Sequence, residues 1–178
     1  MQQYTRRSAL HASSIALFGI FAGCSALSTE STDSEGLSLE RLDTTAVYVD
    51  DEVALSMPAE IETVTEPHNA DLLVLSGDTN IDGEQAVEWF TDDRIIALLG
   101  DSSEATWLSW ARSDAFRDAF KNGGSGDSEP DPSLVVGARV GLYVTTHRRS
   151  WSGTPRDRDI LRALDEVLVA IEKETPPG

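Results

Sequence analysis

Residues 72–99 read LLVLSGDTNIDGEQAVEWFTDDRIIALL, and this stretch decides the fold class. Leu72-Leu73-Val74-Leu75 is apolar without alternation, as in a strand covered on both faces. Asp82-Gly83-Glu84-Gln85 has the spacing of a capping box, with Asp82 as N-cap and Gln85 at the third helical position. The helix it opens carries Ala86, Val87, Trp89 and Phe90, read as core residues. Ile95 to Leu99 is a second buried strand. Strand, helix and strand in this order imply a crossover and parallel pairing.

Downstream the pattern repeats. Asp101-x-x-Glu104 can cap another helix. Trp107, Trp110, Ala111, Ala115, Phe116, Ala119 and Phe120 recur at three- and four-residue spacing as one apolar stripe. The Trp107 and Trp110 pair reads as helix packing rather than a sugar platform. Gly123-Gly124-Ser125-Gly126 ends the stripe, and an acidic Pro/Gly-rich segment runs on through Pro132. Leu134 to Thr146 is a long strand or a strand pair with bends at Gly137 and Gly141. His147 to Asp157 reads as a polar loop. Ile160, Leu161, Leu164, Val167, Leu168 and Ile171 then mark an amphipathic helix, before the Pro176-Pro177-Gly178 tail.

Upstream, Ala46 to Val49 is a short strand, extended by Val53-Ala54-Leu55 and stopped at Pro58. Ile61 to Thr65 alternates as a half-buried strand. No helix is evident before Leu72. The expected fold is therefore a small three-layer α/β sandwich with a largely parallel sheet, and an antiparallel edge or hairpin at its N-terminal side.

The chain has 178 residues, 40% of them hydrophobic and 25% charged, which suits one globular domain plus a leader. A formal charge of −17 excludes a basic nucleic-acid-binding surface. One Cys excludes an internal disulfide framework and a Cys-based zinc site.

Residues 1–23 hold no acid. They run from Thr5-Arg6-Arg7-Ser8-Ala9-Leu10 through an apolar stretch, Ala12 to Ala22, to Phe21-Ala22-Gly23-Cys24. A positive start, an apolar segment and a small-residue site are the parts of an export signal. The apolar run falls well short of the roughly 20 residues a spanning helix needs. Ser25 to Gly36 has six Ser or Thr and three acids around a single Leu, Leu27, and reads as a tether. The expected organisation is a signal peptide over 1–23, a lipidated Cys plus tether over 24–36, and one globular domain over 37–175.

The leader resembles a twin-arginine signal peptide ending in a lipobox, with Arg6, Arg7 and Leu10 matching. Ala9 stands where Phe is usual, and Phe21 replaces the usual Leu. The resemblance implies export in a folded state, cleavage before Cys24, a lipid on its sulfur, and a home on the outer face of the cell membrane. Cleavage would leave 155 residues with a formal charge of −19 and only Lys121 and Lys173 as lysines. Such acid-rich, lysine-poor surfaces are similar to those of extreme halophiles, where salt screens self-repulsion. Leader, charge and tether together resemble haloarchaeal surface lipoproteins of an uncharacterised family. The likeness rests on the first 36 residues and carries no activity.

In a parallel α/β sheet ligands gather beyond the carboxyl ends of the strands. Three loops are expected there: Gly77 to Asp82, Gly100 to Ser103, and His147 to Trp151. In the first, Asp78, Asn80 and Asp82 match the opening of a calcium loop, but Trp89 stands where its bidentate acid belongs. The plainer reading is a βα loop with Asp82 as cap. In the second, Ser102 or Ser103 is a nucleophile only with a base nearby, and His147 is the one plausible imidazole because His68 sits beside Pro67. The third is the oddest: His147, Arg148, Arg149, Arg156 and Arg158 surround Trp151 in a very acidic chain. Guanidinium forks bind anions bidentately and an indole adds stacking. The internal alternative pairs these arginines with Asp157, Asp159 or Asp101.

No phosphate-binding glycine loop, metalloprotease motif or paired-carboxylate signature occurs, so no cofactor is implied. The leading expectation is a membrane-anchored extracellular accessory or ligand-binding domain without catalysis. Its partners would be the membrane, through the lipid, and a protein or small anionic ligand. The alternatives are a small surface hydrolase working from the strand-end loops, and a calcium-stabilised interaction module.

Overall fold

The computed structural model describes residues 37–121 and 131–175, and the backbone of 123–126. Arg6, Arg7, Cys24, the tether through Gly36 and the 176–178 tail lie outside the described residues. Six strands form one mixed sheet in the order β1-β2-β3-β5-β6-β4. These are β1 Val47–Val49, β2 Leu72–Ser76, β3 Ile95–Leu99, β4 Gly123–Gly126, β5 Leu134–Val140 and β6 Tyr143–Arg149. β1, β2 and β3 run parallel, β5 runs against β3 and β6, and β4 lies parallel to β6 at the edge. Helices α1 Gly83–Thr91, α2 Ser103–Ala111 and α3 Asp114–Ala119 cover one face, and α4 Asp157–Glu174 covers the other. The protein is a three-layer α/β sandwich.

The continuous apolar strands serve two cores at once. Leu72 and Val74 of β2 face α4, while Leu73 and Leu75 face α1–α3. Period-two alternation sends successive side chains to opposite faces, so a strand covered twice has no polar position to spare. On the α4 side the core is aliphatic: Leu161, Leu164 and Val167 pack on Leu134 and Val136. On the other side it is aromatic. Phe90 meets Trp107, Phe116 and Phe120 edge-on, with ring centroids 6.0, 6.1 and 6.2 Å apart. Gly137 makes room for this cluster, since a Cβ there would stand 2.9 Å from Trp107 and 3.0 Å from Phe90.

The antiparallel part sits at the C-terminal side, not at the expected N-terminal edge. β5 and β6 are joined by Gly141 and Leu142 alone, and a two-residue connection permits only a hairpin. Gly141 takes φ +64 at the first central position, as in a type II′ turn. β1 and β2 are instead separated by residues 50–71, long enough for a parallel return. Val53, Leu55, Met57 and Ile61 in that connection are spent on the α4-side core rather than on a strand. Of Ile61 to Thr65 only Thr63 bridges the sheet, to Val47.

The aromatic stripe is two helices, not one. Ser113 breaks it, its hydroxyl accepting from the Phe116 amide as the N-cap of α3. Asp82 caps α1 as expected, through the Gln85 amide at 2.9 Å. The reciprocal half of the box is absent, because the Gln85 side chain turns to Glu88. Asp101 does not cap α2; Ser102 is its N-cap, without a side-chain bond.

Candidate functional site at the carboxyl ends of the strands

The loops after β2 and β3 gather at one end of the sheet with the segment that follows β6, although His147 to Arg149 of the third expected loop are strand. β2 ends at Ser76, β3 at Leu99 and β6 at Arg149, and the antiparallel β5 begins beside them at Leu134. Backbone bonds stitch this end together. Gly77 donates to the Leu99 carbonyl, Gly100 to Ser133, and Ser133 to Arg149, at 2.8, 2.8 and 2.9 Å. The first two loops are pressed together, for a Cβ on Gly77 would stand 2.8 Å from the Ser103 backbone nitrogen.

Above this seam lies a groove of about 550 Å³. Leu99, Asp101, Ser133, Trp151, Asp157 and Ile160 are among its lining residues. The chain after β1 closes one side with Ala54, and Ser56 of the same connection donates its amide to the Asp157 carboxylate at 3.1 Å. Trp151 is half-buried and packs on the aliphatic core, so the indole is held by its contacts. Among the described residues that line it there is no Lys, Arg or His.

Gly77 to Asp82 does not line the groove. Its Ile81 carbonyl accepts the indole N–H of the buried Trp110 at 2.8 Å, which makes Trp110 a packing residue with its polar atom satisfied. Asp78 accepts from the Ser76 hydroxyl, and that bond holds its carboxyl below the usual range. Asp82 is engaged as a cap. Among the described residues no group of three or more His, Cys, Asp or Glu side chains is placed to hold a metal ion.

The Arg-rich segment is divided by the sheet. His147, Arg148 and Arg149 belong to β6 rather than to a loop, so consecutive side chains point to opposite faces. Arg148 faces α2, its guanidinium forking onto Glu104 at 2.9 and 3.3 Å and donating to the Thr146 hydroxyl at 2.8 Å. Its side chain is only 10% exposed. Arg149 faces α4 and bonds Glu166 at 3.0 Å. Arg156 and Arg158 lie beside Asp159 at 3.1 and 3.8 Å, and the bond from Arg156 holds the Asp159 carboxyl below its ordinary range. All four guanidiniums thus face carboxylates, in the manner of the internal alternative. Of the three acids named for it only Asp159 is a partner; Glu104 and Glu166 were missed.

His147 is also on the α4 side, its Nε2 buried 3.9 Å from the Glu174 carboxylate and without a hydrogen bond among the described residues. Ser102 and Ser103 open α2 on the opposite face, where the buried Ser103 hydroxyl donates to the Gly100 carbonyl. Imidazole and serine are therefore separated by the sheet.

The comparisons with protein families, curated proteins and solved structures return no match to this chain. No helix among the described residues is long and apolar enough to cross a membrane.

Proposed function

We propose that this chain is an exported, lipid-anchored domain that binds a small ligand in the strand-end groove and performs no chemistry on it. The groove carries the reading. It combines a fixed indole, aliphatic walls and a few polar groups, the composition by which concave sites recognise small molecules. Its volume falls within the range of roughly 300–1,000 Å³ typical of such sites. The separation of His147 from Ser102 and Ser103 supports binding over hydrolysis, since a nucleophilic serine needs a base in reach. The address rests on Arg6, Arg7 and the segment ending at Cys24, with two acyl chains adding about 0.8 kcal/mol per buried methylene. The acidic, lysine-poor composition supports a home at high salt.

Fractionation of cells expressing the full chain tests the address. Wild type is expected in the membrane fraction with residues 1–23 removed and Cys24 acylated, and Cys24→Ser in the medium or unprocessed. Cys24→Ser that is processed and still as membrane-bound as wild type would overturn the anchor. Thermal-shift screening of small metabolites in molar salt tests the groove. Stabilising compounds should lose their effect in Trp151→Leu, and a screen with no such compound would overturn ligand binding.

A further inference from the structure

The charge of the groove runs opposite to that of the segment beside it. Arg148, Arg149, Arg156 and Arg158 all turn to carboxylates, and the charged groups that line the groove are Asp101 and Asp157. Asp157 is already engaged with the Ser56 amide. Asp101 is exposed and makes no hydrogen bond or ion pair with a described residue. Among the described lining residues, an anion entering here would meet two negative charges and no guanidinium. A bare divalent ion, which as calcium takes about six to eight oxygens, would find two carboxylates and the neutral hydroxyls of Ser133, Ser152 and Thr154. No group of three or more His, Cys, Asp or Glu among the described residues is placed to hold a metal ion.

Carboxylates, an indole and aliphatic side chains lining one groove suit a different ligand. The ring quadrupole attracts a cation whose surface is apolar, and the carboxylate supplies the counter-charge. Asp101 and Asp157 also lie at the amino ends of α2 and α4, where the helix dipole favours negative charge. That duty accounts for an acid at each position, but not for an indole in the same groove.

We infer that the groove takes a small organic cation bearing alkyl groups on nitrogen, with Trp151 against its apolar surface and Asp101 as counter-ion. The inference rests on the ligand-binding reading above and names its ligand class. The test titrates the purified chain in molar potassium chloride with choline, with its uncharged isostere 3,3-dimethylbutan-1-ol, and with sulfate, following backbone amide shifts by NMR. Choline should shift the amides of Gly100, Asp101, Trp151 and Gly153. It should bind about fivefold or more tighter than the isostere, and lose at least about fivefold in Asp101→Asn and in Trp151→Leu, the scale of one such contact. Asp101→Asn keeps a polar side chain before α2, so its loss of binding is readable even where Trp151→Leu weakens the fold.

Equal binding of choline and the isostere, or sulfate shifting the groove amides, would overturn the cation class and leave ligand binding standing. Failure of choline alongside a stabilising metabolite from the screen would do the same. Failure of all three probes together with an empty screen would overturn both.

Discussion

Asp165 is the residue whose role is least visible from its neighbours in the chain. It lies in the middle of α4 and is only 8% exposed. Its carboxylate accepts the backbone amides of Glu40, Arg41 and Leu42, at 2.9, 2.7 and 2.9 Å. Those amides open the short 3-10 turn Leu42–Thr44, so the carboxylate caps it in trans. The turn in turn seats Leu42, fully buried, in the α4-side core. Removing the carboxylate would leave three amides without their acceptor. Asp165→Ala is expected to lose about 3 kcal/mol, as a charged hydrogen-bond hub with buried donors does. Denaturant melts check it, and a loss below that expected of a surface substitution, about 0.5 kcal/mol, would refute the capping role. Nothing in the local sequence marks Asp165, because its partners lie more than 120 residues earlier.

Among the packed elements, β5 lies close against α1 and α2. Gly137 is a strand residue, not a bend, and its missing side chain is what lets Trp107 and Phe90 lie on the sheet. Gly137→Ala pushes a methyl into both rings, and overpacking of this kind costs about 1–3 kcal/mol. The expected outcome is a lower melting temperature with a changed near-ultraviolet spectrum from the aromatic cluster; an unchanged melt would show that the rings move aside freely. Residues 147–149 also owe their roles to the element that holds them. Arginines so close in sequence could converge on one ligand from a loop. Placed in β6, they part company at every step, and each finds its own helix. A run of polar residues carries no period that tells a strand from a loop, and the partners Glu104 and Glu166 belong to other elements.

Over the molecule as a whole, electrostatic self-repulsion is the main force against the compact state that composition reveals. With residues 1–23 removed the formal charge is −19, against ten arginines and two lysines. Several arginines are already committed to local ion pairs, as Arg41 is to Glu172 and Arg139 to Asp93. Exposed pairs of this kind contribute at most about 1 kcal/mol, so they do not cancel the summed repulsion. Screening does, because the Debye length shrinks from about 10 Å at 0.1 M salt to about 3 Å at 1 M. The melting midpoint of the folded domain is therefore expected to rise between dilute and molar salt, and an unchanged midpoint would sink this account.

The α/β class, the buried strands β2 and β3, the Asp82 cap and the apolar face of α4 were all legible in the amino-acid order. Each of these is a local pattern, an apolar run or a spacing, that any fold must satisfy by burying it. The meeting of the strand-end loops was legible too, because parallel strands joined by a helix end on one side. Whether the long connection over 50–71 brings β2 back parallel to β1, and where the hairpin joins the sheet, was settled by packing in three dimensions. Packing also sent the early apolar residues into a core instead of a sheet, and spent the arginines on distant carboxylates. The groove is of the same kind, since Ala54, Leu99, Ser133, Trp151 and Ile160 come from separate parts of the chain. A cavity is the space that packed elements leave between them, and no spacing along a single chain encodes it.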